Sequence, residues 1–312
     1  MATVFRWNIT RREQLGRLVE GEPAESYPEF LEDLRRCCAR VIAMAGDSRL
    51  VFVGRSPESL YDYLTGALAD TSWADRLAML NVSLWAFGRF DDTSPTAAGC
   101  DAMRAQLADV GLAPARIAAS PRPIALIDLV SSGGTLGTLV ELLISEAERA
   151  GVDVRAVRRR LRIVGISQQE TPHPRTWRWR THTQLAVAFR PSAVKGVSIP
   201  PQLWDFLGNT QKKVARTNPP ARWGDPQMAR PPRGSDFAAA LRFAVALHDL
   251  GRTRAERDAL AAQIATQPAM RYPWCRVLGA ELRGTTRLKR VGPTFASKRF
   301  IRPARQSRSV PK

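Results

Sequence analysis

Short apolar runs alternate along this chain with longer stretches whose apolar residues recur at helical spacing. Phe30, Leu31, Leu34, Cys38, Val41 and Ile42 predict an amphipathic helix over residues 26–45. Ser26 and Glu29 have capping-box spacing, Pro28 suits a first turn, and Gly46 suits the stop. The apolar run Arg49–Val53, closed by Gly54, predicts a buried strand. Residues 57–68 predict a helix with Ser56 as N-cap and Pro57 at its first position. Further strands are predicted over 80–87, 124–128, 161–167 and 183–189. A helix is predicted near 95–110, and a long amphipathic one begins after Thr135 and ends near Ala150. Strands alternating with helices predict an α/β fold with a parallel sheet flanked by helices.

Beyond about residue 195 the texture changes. Residues 196–235 are rich in Pro, Trp and basic side chains and lack periodicity. Residues 236–266 regain a helical pattern, broken near Gly251. The expected organisation has four parts. A mainly helical N-terminal segment or hood spans 1–47, and an α/β core spans 48–194. A Pro/Trp-rich, then helical C-terminal region spans 195–283, and a basic flexible tail spans 284–312.

Composition narrows the class. With 44% hydrophobic and 24% charged residues, the 312-residue chain has material for a core, which excludes global disorder. No run of about 18 apolar residues exists, so no membrane span is expected. The charged N-terminus lacks the apolar centre of a signal peptide, so a cytoplasmic location is expected. Cys37, Cys38, Cys100 and Cys275 form no C-x-x-C pair, and His173, His182 and His248 are scattered. That argues for reduced thiols and against structural zinc or histidine catalysis.

Charge adds a partner class. The net charge is +18, which calls for a polyanion or an anionic small molecule. It is unevenly spread: residues 1–100 hold 11 basic and 14 acidic side chains, whereas 283–312 hold ten basic and none acidic. The tail therefore offers contacts to RNA or DNA. Arg175–Arg180 alternates Arg with Trp, a pattern that serves either base stacking or an edge strand with one solvated face. Trp204–Gly208, followed by Lys212 and Lys213, reads as an element docking the C-terminal region on the core.

The segment that carries chemistry is Ile124–Thr135. A buried strand ends in Asp128; Ser131, Ser132, Gly133, Gly134 and Thr135 then lead into a helix. Backbone N–H groups of such a turn converge on an anion, the glycines let it approach closely, and the hydroxyls add donors without bulk. Asp128 suits sugar hydroxyls or a hydrated magnesium ion. Neither a Walker A pattern nor G-x-G-x-x-G is present.

From Asp128 to Thr135 the segment resembles the phosphoribosyl pyrophosphate (PRPP) motif of type I phosphoribosyltransferases: apolar residues, two acids, two apolar residues and a hydroxyl- and glycine-rich loop. Ile127 stands in place of the first acid, and Ser131 stands where purine-salvage members carry a proton-accepting acid. Val51–Glu58 is similar to the family's pyrophosphate loop, which would give Gly54, Arg55 and Ser56 that role. Residues 88–120 occupy the place of its long mobile loop, with Arg89 or Arg104 as the cation. The resemblance implies a phosphoribosyltransferase-like core, Mg2+ held near Asp128 through the ligand, and pyrophosphate release. Asp128 and Arg55 would then be catalytic, and the acceptor would be something other than a purine needing deprotonation. It leaves a homodimer open. The alternative is a regulator on the same fold, sensing PRPP or another nucleotide and binding RNA or DNA through its basic C-terminal half.

Overall fold

The computed structural model describes residues 4–84, 94–169, 179 and 185–285. Its centre is a five-stranded, all-parallel sheet. In chain order the main elements are α1 (Phe30–Ala45), β1 (Arg49–Val53), α2 (Glu58–Ala67), β2 (Leu77–Leu80), α3 (Ala97–Asp109), α4 (Pro114–Ala118) and β3 (Ile124–Val130). There follow α5 (Gly134–Arg149), α6 (Val154–Arg160), β4 (Leu161–Gln168), α7 (Leu185–Ala188), β5 (Val194–Ile199), α8 (Pro201–Asp205), α9 (Ser235–Arg252), α10 (Arg254–Ala265) and α11 (Pro273–Leu282).

Strands buried on both faces need apolar residues at every position. Leu50, Phe52, Ala125, Ile127, Val164, Ile166 and Val197 point into one core with α1, α2, α10 and α11. Val51, Val53, Leu126, Val130 and Ile163 point into the other with α3, α5 and α6. The molecule is thus a three-layer α/β/α arrangement. α2 and α9 pack so closely that a Cβ on Gly66 or Gly251 would collide with the facing backbone.

Several expectations need correction. α1 starts at Phe30 with Glu29 ahead of it, and no side chain caps it, so the Ser26–Glu29 box does not form. α1 also belongs to the sheet's helical layer: Leu34, Cys38, Val41 and Ile42 are buried in its core. Residues 4–19 contribute to a separate small cluster, in which Ile9 and Leu15 pack against Val214 and α9. α2 is capped by Pro57 rather than by the Ser56 side chain. β2 lies at 77–80, ahead of the expected 80–87.

The expected strand at 183–189 is not formed over its described residues, 185–189. Leu185–Ala188 is one helical turn, and the fifth strand is Val194–Ile199. Alanine favours helix, and the run is too short for its apolarity to separate the two states. The α/β core accordingly continues to Ile199, past the expected boundary at 194. Arg89, the Arg175–Arg180 stretch apart from Trp179, His173, His182 and the tail from 286 onward lie outside the described residues.

No described helix is long and apolar enough to cross a membrane.

Candidate functional site

The strand order is β2-β1-β3-β4-β5, so the chain runs outward in opposite directions from β1 and from β3. In an open parallel sheet, the loops after two such strands part to opposite faces and leave a crevice at their carboxyl ends. α2 follows β1 on one face, and α5 follows β3 on the other. The Gly54–Ser56 turn and the Ser131–Thr135 turn therefore border the same crevice. A hollow of about 300 Å³ lies there, lined by Ser56, Asp128, Ser131–Thr135, Trp204, Gly208 and Asn209 among others.

Gly133 forms the N-terminal end of α5 at φ 80°, with no side chain capping the helix. Among the described residues no side chain takes up the amides of this first turn, and Gly133, Gly134 and Thr135 line the hollow. Gly54 has φ 76°, and a Cβ there would stand 3.8 Å from Asp128 Oδ1. The turn after β1 meets the Asp128 side chain of β3 at that point.

Asp128 lies within β3, paired with Gly165 of β4, rather than at the strand's end. It is 6% exposed, and its Oδ1 accepts a 2.7 Å hydrogen bond from the Leu129 N–H. Burial pushes its carboxyl well above the usual carboxylate range; the Leu129 N–H and the Lys213 cation oppose that rise. Ile127 is fully buried on the opposite face of β3. Strand alternation sends consecutive side chains to opposite faces, so that position serves the core here and leaves Asp128 as the carboxylate of the crevice.

Arg55 is partly buried and donates to the Ala215 carbonyl at 3.3 Å. Burial lowers its pKa and Glu58 opposes the fall. It makes no ion pair among the described residues. Arg104 does: it binds Glu146 at 2.9 Å and also pairs with Asp101, tying α3 to α5. It stands on α3 with these two acids as partners rather than in a loop. His248 is buried between α9 and α2, 3.0 Å from Thr65 Oγ1, and has a packing role.

The residue missed by sequence reasoning is Lys213. Its ammonium donates to the Leu207 carbonyl at 2.5 Å. Burial pulls its pKa down to about 8; Glu58 and Asp128 counter that fall and Arg55 reinforces it. Lys213, Arg55, Asp128 and Glu58 thus share one electrostatic neighbourhood. Trp204 helps to hold this segment by donating its indole N–H to the Val130 carbonyl at 3.4 Å. The Val214 N–H adds a bond to buried Glu58 at 3.0 Å. No sequence motif marks Lys213; only the docking of the C-terminal region on β3 reveals it.

No family model, curated protein or solved structure matches the chain.

Buried amides tie the 216–218 segment to the end of β2 and to α3. Asn218 Nδ2 donates to the Asn81 carbonyl at 3.0 Å, as does Gln106 Nε2 at 2.9 Å. Asn81 Nδ2 in turn donates to the Arg216 carbonyl at 3.0 Å. Beyond Arg216 a second hollow of about 760 Å³ opens between Trp7, Leu18, Phe237 and Leu241. No group of three His, Cys, Asp or Glu side chains among the described residues could hold a metal ion by itself. Cys37 and Cys38 are buried, and burial pushes both thiols up, Cys37 to about 12, so neither is a ready nucleophile.

Proposed function

We propose that the crevice binds PRPP and that the protein transfers its phosphoribosyl group to an acceptor, releasing pyrophosphate. One observation carries this reading: the Gly54–Ser56 and Ser131–Thr135 turns border one switch-point crevice, with Asp128 between them. The uncapped first turn of α5 and the hydroxyls of Ser131, Ser132 and Thr135 suit the dianionic 5-phosphate. Arg55 and Lys213 offer two cations for the diphosphate. Asp128 suits the ribose hydroxyls.

Among the described residues Asp128 is the one carboxylate lining the hollow, a donor set that fits magnesium carried by the diphosphate rather than a protein-held ion. Such an ion would neutralise charge developing on the leaving group. The chain's own share is positioning. The turns hold the two phosphates apart, Arg55 and Lys213 face the departing negative charge, and Trp204 limits water. An acceptor that is already nucleophilic fits, since Ser131 offers no base.

Titration calorimetry with PRPP and Mg2+ tests this. Binding by the wild-type chain that is lost in Asp128→Ala supports it; absence of wild-type binding refutes it. The burial of Ile127 favours a second reading, a sensor that binds the same ligand without turnover. Pyrophosphate release with nucleophilic acceptors separates the two.

A further inference from the structure

The opposite end of the sheet carries a separate feature. α6 runs directly into β4, and Pro191–Ala193 runs directly into β5, so both lie at the strands' amino ends, away from the crevice. Arg155, Arg158 and Arg159 share one face of α6 by their spacing, while Val157 is buried on the other. With Arg162 and Arg190 they line a hollow of about 680 Å³.

Five guanidinium groups gather there, and among the described residues their acidic partner is Asp153, 3.9 Å from exposed Arg159. Arg162 spends one nitrogen on the carbonyls of Arg159 and Leu161 at 3.0 and 2.8 Å, which fixes its direction without cancelling its charge. Like charges crowded into a concavity repel one another and concentrate positive potential. That arrangement weakens the free fold and favours an anionic partner.

The shape selects the partner. Among the described residues, no exposed large apolar side chain belongs to this surface: those found are Leu18, Met44, Tyr272 and Val277. The described surface therefore offers cations rather than apolar groups for insertion into a bilayer. Phe189, the aromatic of the hollow, is 8% exposed and packed in the core, so it cannot stack on a base. What remains is a groove of cations suited to an extended chain of phosphates. We propose that this groove docks the phosphate backbone of nucleic acid without reading its sequence. The surface is distinct from the basic tail and does not depend on the PRPP reading.

Fluorescence anisotropy of the full chain with a labelled DNA duplex and a labelled RNA duplex, over a salt series, tests it. Each phosphate contact contributes close to one unit to the slope of log affinity against log salt. Arg155→Glu with Arg158→Glu and Arg159→Glu should lower that slope by about 3 and weaken binding at least about tenfold. The charge-matched control Arg11→Glu with Arg17→Glu and Arg233→Glu, none of which lines this groove, should keep the wild-type slope. If the reversed variant melts early, the same three positions as Gln serve, with a smaller loss expected. Calorimetric PRPP binding should be unchanged in these variants. An unchanged slope in the α6 variants, an equal loss in the control, or α6-dependent binding to phosphatidylserine vesicles without duplex binding overturns the proposal.

Discussion

Replacing Lys213 by Met should make the protein more stable and its anion site weaker. The side chain is half-buried, and its pKa falls from 10.5 to about 8, chiefly through burial. That difference of about 2.5 units, at ~1.4 kcal/mol each, is roughly 3 kcal/mol of penalty for keeping the folded-state ammonium charged at neutral pH. Methionine keeps most of the stem and loses the charge. It also loses the hydrogen bond to the Leu207 carbonyl, worth about 1 kcal/mol. The net gain at pH 7 is about 2 kcal/mol. The sign with pH follows from proton counts: between pH 8 and 10.5 the unfolded chain holds the proton that the folded one has released. Wild-type stability therefore has a rising component across that window, with the penalty fully present below it. Urea denaturation at pH 7 and pH 10 should show this rise in the wild type and its loss in Lys213→Met. Pyrophosphate affinity, measured by calorimetry at pH 7, should fall in the same variant. A variant less stable at pH 7, or one that keeps the wild-type rise, would refute the reasoning.

Other substitutions probe the neighbouring groups. Asp128 binds its proton more tightly when folded, so its contribution to stability declines as pH rises from the usual carboxylate range to its elevated folded value. Asp128→Asn should stabilise the protein by about 1–2 kcal/mol at neutral pH in urea denaturation and abolish PRPP binding; destabilisation would argue against a strained carboxylate. Gly133→Ala places a side chain at φ 80° and should cost about 1–2 kcal/mol in the same assay, with weaker phosphate binding. Arg6 pairs with Asp62 at 2.5 Å, while burial, opposed by Arg6, holds that carboxyl up at about 6. Arg6→Leu should therefore cost roughly 3 kcal/mol, and the Arg6→Leu/Asp62→Leu double variant should recover most of it, as read by a double-mutant cycle.

The parts of the fold legible in sequence were those where one local signal dominates. β1 and the start of β3 are uninterrupted apolar runs, and their order with α2 and α5 brings Arg55 and Asp128 to one crevice. β5 was hidden because Lys195, Gly196 and Ser198 dilute its apolar pattern, while the more apolar Leu185–Ala188 forms a helical turn. The opposite facing of Ile127 and Asp128 follows from strand alternation alone, once the strand is seen to run through both. Lys213 could not be read in advance. Its depressed pKa arises from burial, and its charged neighbours Arg55, Glu58 and Asp128 are distant in sequence. The same holds for α6, whose arginines share a hollow with Arg162 and Arg190 only once the chain is folded.

The most direct test of the central claim, that both turns form one anion site, is a crystal structure with PRPP and Mg2+. The account predicts the 5-phosphate on the backbone of Ser131–Thr135, the diphosphate against Gly54–Ser56 and Lys213, and the ribose hydroxyls at Asp128. Ligand bound in the hood hollow beside Trp7 and Phe237, or a crevice still empty at saturating ligand, would contradict it.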